Sequence, residues 1–235
     1  MLDTGLLLTG AAIAAVVWLV ARWTAPTTTA PKWDANDTVD VLLWAGMAGL
    51  LAGRAAAVLL DDPDSLQSLR TFLVIRGGVE MWPGAVVATI VLVVNLRRRG
   101  APVIRHAALV APAALAAYAA FEASCIVREG CYGPRAAIGL RPDGLDTTMV
   151  PLGIVAAAAL AGVAVLLARR PAAPPLARVL TGLAAVALVR SVASIWLPRI
   201  GDELTRQHRT SILVLILSVA GLVAVHLTRG SAAVR

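Results

Sequence analysis

Seven apolar stretches, each about as long as a bilayer's hydrocarbon core is thick, recur along the chain and are separated by arginine-rich seams. A helix rises about 1.5 Å per residue, so roughly 17–25 apolar residues cross about 30 Å of lipid. The stretches run over 4–22, 39–60, 82–97, 103–126, 149–168, 179–197 and 211–228. The third is short and is open to an earlier start, or to a re-entrant piece at 71–81. In hydrocarbon every backbone N–H and C=O must find its partner inside the segment, which leaves the helix as the form for stretches of this length. The expected fold is therefore all-α, a single polytopic transmembrane domain over 1–235 with about seven helices. A mean hydropathy of +0.80 with 15% charged residues is too apolar for an ordinary soluble domain.

The formal charge of +7 invites a nucleic-acid reading, but the arginines lie between apolar runs and not along one soluble basic face. Their expected partner is the lipid headgroup layer, with no nucleic acid. Their distribution gives an orientation. With the N-terminus outside, the cytoplasmic segments hold 11 Arg and Lys and the exoplasmic segments 8. The compact runs "NLRRRG" and "LLARRP" abut apolar spans and fall on the same side, which weighs more than the totals. The expected topology is N-terminus out and C-terminus in. The first run lacks the basic flank of a cleavable signal peptide. "WTAPTTTAPKWDAND" and "PAAPP" read as connectors.

Charges inside the spans cost roughly 2.5–3.5 kcal/mol each at the bilayer centre unless they face protein or water. Arg54, Glu122 and Arg190 are the conspicuous ones. Arg54 lies in "AGLLAGRAAAVLL", whose small residues permit close helix approach. Glu122 opens the densest polar stretch, "FEASCIVREGCYG" (121–133), at the outer end of the fourth span. Glu122, Cys125 and Glu129 recur at i, i+3 and i+7, one stripe if the helix runs through 129 to end at Gly130 and Gly133. Such a stripe, with Arg128 beside it, is expected to face a cavity and not lipid. Cys125 and Cys131 are the chain's two cysteines. They are open to two readings, a disulfide outside the membrane or a pair of thiols.

The same residues resemble a known family. "RGGVEMWPGAVVATIVLVVNLRRRG" (76–100) resembles the "GGLxFHGG" helix entry of the prolipoprotein diacylglyceryl transferases and the basic turn that follows it. "FEASCIVREGCYGPRAAIGL" (121–140) resembles that family's signature, roughly "GRxGNFxNGxxYG". "TTMVPLGIVAAAAL" (147–160) is similar to its "HPTQLYE" helix start and "ALVRSVASIWLPR" (187–199) to its "RFxxEFFR" helix. "LTRQHRTSILVLILSVAG" (204–221) is similar to its last span. The resemblance covers most of the chain, in order. It implies helices around a central lipid-accessible cavity in a bacterial plasma membrane, and transfer of a diacylglyceryl group from phosphatidylglycerol to the cysteine thiol of a lipoprotein precursor, with its signal peptide as a partner. Cofactors: none, and no metal. The chemistry it implies is a guanidinium clamp on phosphate, with charge stabilised on the departing glycerol phosphate.

Carried onto this chain, the resemblance places catalytic positions on Glu122 and on Arg190, where the late-helix arginine is kept, and the neighbouring Arg128 joins them as a catalytic candidate. The resemblance assigns substrate contacts to Arg76, Gly77, Gly78, Trp82, Gly84, Cys125, Tyr132 and Gly133. The departures are specific. The signature arginine falls on Glu122, its asparagine on Cys125, the histidine of "FHGG" on Trp82 with Pro83 in place of a glycine, and the late glutamate near Ser194. At an effective dielectric near 20, two unit charges 4 Å apart interact by about 4 kcal/mol, so reversing a charge at a phosphate site matters. Glu122 is expected either to act as a base or to hold Arg128 or Arg190, while Arg76 and Arg128 are candidates to restore the positive charge. Three functions follow: a transferase of this family, a relative that kept the bundle and binds phospholipid or assists assembly without the chemistry, and a small transporter. The third lacks visible inverted repeats or paired discontinuous helices.

Overall fold

The computed structural model describes residues 4–24, 33–61, 79–125, 132–142, 144–196 and 205–232. Among them are seven helices: α1 (Thr4–Thr24), α2 (Ala35–Asp61), α3 (Met81–Arg98), α4 (Val103–Ala123), α5 (Leu152–Arg169), α6 (Pro175–Trp196) and α7 (Arg206–Ala232). Six of them are long and apolar enough to cross a membrane, and α1 supplies a shorter apolar helix over Leu8–Thr24. Each of the seven expected spans holds one of these helices; five are extended by a few residues at one or both ends, the fourth stops at Ala123, and the fifth starts only at Leu152. The third begins at Met81, preceded by an extended Glu80 (φ −75°, ψ 108°).

The outward faces are those of a lipid-facing bundle. Leu43, Trp44 and Met47 on α2 and Leu213, Ile216 and Leu217 on α7 are all more than half exposed. In water such a surface would aggregate, whereas in hydrocarbon it costs nothing. Inside, α4 and α5 meet through Leu115, Ala116 and Ala119 against Ala157, Leu160, Ala164 and Leu167. Lipid is as apolar as leucine, so close van der Waals fit is what holds such helices together, and alanines allow it.

The tightest approach is between α2 and α3. A Cβ on Gly49 would sit 2.9 Å from the Gly84 carbonyl oxygen, one on Gly53 2.7 Å from the Glu80 carbonyl oxygen, and one on Gly84 2.6 Å from the Gly49 carbonyl oxygen. Gly49 and Gly53 are one turn apart in "AGLLAGR", the small-xxx-small spacing that brings backbones together. At the opposite end of these two helices Arg99 pairs with Asp37 at 2.5 Å and with Asp40. One arginine of the basic turn is thus an ion-pair clamp on the N-terminal turns of α2.

Two features depart from the sequence expectation. The helix carrying Glu122 does not run to residue 129 but ends at Ala123. Ser124 Oγ donates back to the Phe121 carbonyl at 2.6 Å, and the Cys125 N–H goes to the Glu122 carbonyl, so the chain tightens into a turn. Serine competes for backbone carbonyls in this way and so breaks helices readily. Of the expected stripe, Glu122 is thus helical and Cys125 lies in the turn after the helix, while Glu129 lies outside the described residues. The second departure is a small antiparallel sheet, β1 (Tyr132–Leu140) with β2 (Met149–Pro151), where only a loop and a helix start were expected. Gly139 makes it possible, since a Cβ there would lie 2.1 Å from the Met149 carbonyl oxygen. The interrupted register, with shifts on both sides of Arg135, explains why no clean alternation marked these strands in the sequence.

Candidate functional site

Antiparallel neighbours bring the start of α3, the end of α4, the second half of α6 and the start of α7 to one end of the bundle. A polar chain assembles there. Arg190 Nη1 donates to Glu122 Oε1 at 3.1 Å, and Arg190 Nη2 donates to Gln207 Oε1 at 2.7 Å. Gln207 Nε2 reaches Glu80 Oε2 at 3.4 Å, and Arg206 Nη2 donates to Glu80 Oε1 at 3.0 Å. The Glu122 carboxylate is buried, its side chain 5% exposed, and that of Arg190 16%. The Tyr118 hydroxyl, one turn before Glu122, interacts with both members of this pair and donates to Met81 Sδ at 3.4 Å. Two carboxylates and two guanidiniums thus share one network in which an amide is the bridge.

Beside it lies a second polar group. Ser194, one turn beyond Arg190, is 2.6 Å from His208 Nδ1 and donates to the Ser191 carbonyl at 2.9 Å. The His208 backbone N–H goes to Thr205 Oγ1 at 3.3 Å. Trp82 Nε1 donates to Ser211 Oγ at 2.9 Å, and Ser211 Oγ in turn donates to the Gln207 carbonyl at 2.7 Å. Buried polar groups need such partners, and two of these bonds cross between helices: Ser194–His208 ties α6 to α7, and Trp82–Ser211 ties α3 to α7.

Of the residues singled out in the sequence, Glu122 and Arg190 come together. Trp82 stands at the edge of the same network with its indole N–H committed to α7. Gly84 lies in the α2–α3 contact, Tyr132 opens β1, and Gly133 packs where a Cβ would meet Leu152 Cγ at 2.8 Å. Cys125 is buried and disulfide-bonded, and Cys131 is the chain's one other cysteine. Arg54 is buried within α2. Arg76, Gly77, Gly78 and Arg128 lie outside the described residues. Sequence reasoning passed over Glu80, Tyr118, Arg206, Gln207 and His208. The available signal was the run "TRQHRTS" (205–211), seven hydrogen-bonding residues directly ahead of a long apolar span.

The fold and this cluster define a polytopic membrane protein with an ion-paired polar site at one end of its helix bundle. Residues 5–227 match the family of prolipoprotein diacylglyceryl transferases, and the chain belongs to that family. It is also similar to the phosphatidylglycerol–prolipoprotein diacylglyceryl transferase of Rhodococcus jostii, 27% identical over 141 residues. That alignment takes in 57% of this chain and 36% of the relative, so the chain spans about a third of the length of the curated relative it matches.

Proposed function

We propose that this protein transfers a diacylglyceryl group from phosphatidylglycerol to the cysteine thiol of a lipoprotein precursor, with Arg190 holding the phosphate. The observation that carries the reading is the half-buried Arg190, fixed in place by Glu122 on α4 and Gln207 on α7. A guanidinium has five N–H donors in a rigid fork. Those not engaged by Glu122, Gln207 and Tyr118 suit the oxygens of a phosphodiester, and a fixed cation needs no reorganisation as charge builds on the departing glycerol phosphate. Glu122 positions the guanidinium. Phosphatidylglycerol and the precursor's signal peptide are the partners, and the bacterial plasma membrane is the location.

One observation favours a second reading, a family relative that binds phospholipid without transfer. The four charges of Glu80, Glu122, Arg190 and Arg206 cancel, where the family signature would place an arginine at position 122. Complementation separates the two. Expressed in cells depleted of their own transferase, this chain is expected to restore lipid attachment to a lipoprotein precursor; a folded, membrane-inserted chain that attaches none leaves the second reading.

The polar end is proposed to face outward, with the N-terminus out and the C-terminus in. Besides the arginine distribution, the disulfide at Cys125 supports this, because disulfides persist in oxidising compartments. An impermeant maleimide added to intact cells should leave the parent protein unlabelled and label Cys125→Ser through the thiol it frees. Labelling of that variant only after the membrane is opened reverses the orientation.

A further inference from the structure

Transfer to a thiol needs a group that accepts the thiol proton, and neither Glu122 nor Arg190 is free to do so, since each is committed to the other. The buried Ser194–His208 pair has no part in the reading above, and its hydrogen bonds bear on the tautomer of the neutral ring. The Ser194 hydroxyl has one proton. It goes to the Ser191 carbonyl, which can only accept. The 2.6 Å contact between Ser194 Oγ and His208 Nδ1 then requires Nδ1 to carry a hydrogen and donate it. In a neutral imidazole that places the lone pair on Nε2.

That nitrogen has no hydrogen-bond partner among the described residues, because the interactions of His208 are those with Ser194 and Thr205. Nor is it one of the fully enclosed unpaired side-chain atoms, which among the described residues are Arg178 Nε and Ser218 Oγ. Nε2 is therefore without a partner among the described residues, on a ring that is itself buried. The ring sits in the chain next to Gln207, which holds Arg190, and is bonded to Ser194, one turn from Arg190 in α6.

We propose that His208 is the proton acceptor of the transfer reaction and that Ser194 is the positioning residue that fixes its tautomer. The assignment rests on the transferase reading above. The acceptor thiol gives its proton to Nε2 as its sulfur forms a bond to the glyceryl carbon. The bond from that carbon to the phosphate oxygen breaks with its electron pair, and the imidazolium returns the proton to the glycerol phosphate that leaves. Atoms and charge balance without a further reactant. A base positioned in this way contributes about 10²- to 10⁴-fold to a rate.

The test uses the full chain in nanodiscs containing phosphatidylglycerol. Histidine ¹⁵N spectra of the parent, with His208→Gln identifying the resonance among the three histidines, should show a protonated Nδ1 and a bare Nε2 at His208. Ser194→Ala should lose that preference, a change that a purely structural role would not produce. With a signal-peptide substrate, His208→Gln should slow transfer by about 10²-fold or more with little change in the KM for lipid. A protonated Nε2 in the parent, or transfer by a folded His208→Gln within about twofold of the parent, overturns the assignment alone. No transfer by the parent overturns the transferase reading and this assignment with it.

Discussion

Arg190→Ala is expected to abolish diacylglyceryl transfer and to destabilise the bundle together, and the two effects have one cause. The guanidinium is the cation that compensates the buried Glu122 carboxylate, so its removal leaves a charge in a low-dielectric interior with no counterion. Breaking a buried pair in this way costs about 3–5 kcal/mol, a large part of the roughly 5–15 kcal/mol that holds a typical protein folded. Glu122→Gln separates the two effects. The glutamine amide can still accept from Arg190 Nη1, so thermal unfolding in detergent should move far less than for Arg190→Ala. Transfer should nevertheless fall by about 10²-fold or more, because the guanidinium loses the ionic anchor that fixes it and an ångström of misplacement is worth that much. Replacing both residues with apolar ones of similar volume should recover stability lost in Arg190→Ala and no activity. Full transfer by either single variant would remove Arg190 and Glu122 from the site.

The helices were legible because the constraint that produces them is severe. Hydrocarbon demands closed backbone hydrogen bonding over a fixed length, and seven apolar windows met that demand with boundaries off by only a few residues. Glu122 and Arg190 were legible for the same reason, since a charge within a span needs an explanation. Gln207 and His208 carried no such mark. They stand at the head of α7, where polar residues are ordinary, and only the convergence of α3, α4, α6 and α7 shows that they face other polar groups. Glu80 was hidden in the same way, one residue ahead of a helix start. The sheet was missed because β1 has an irregular register and lies in a segment whose polar residues read as a loop. The helix end at Ala123 turned on a single serine hydroxyl finding the Phe121 carbonyl, a choice that periodicity does not record.

Gly53→Leu and Gly84→Leu should disable the site from a distance, through Glu80. The Glu80 N–H donates to the Gly53 carbonyl at 3.0 Å, so the start of α3 is registered on α2 at the residue that anchors Arg206 and Gln207. A side chain at either glycine meets backbone oxygen, at 2.7 Å for Gly53 and 2.6 Å for Gly84. Backbone cannot rotate away as a side chain can, so the helices must separate. Overpacking of this kind costs typically about 1–3 kcal/mol, which should appear as a lower unfolding temperature in detergent. The larger consequence is geometric. As α3 shifts, Glu80 withdraws from Gln207, Gln207 no longer holds Arg190 Nη2, and the guanidinium keeps only Glu122. Transfer is therefore expected to fall by about 10²-fold, the cost of misplacing a positioning group by an ångström. Gly46, on the same helix with nothing within 4 Å of its Cβ position, is the control, and Gly46→Leu should change neither quantity. Equal losses from Gly46→Leu and Gly84→Leu would mean that backbone freedom, and not the α2–α3 approach, is what these glycines supply.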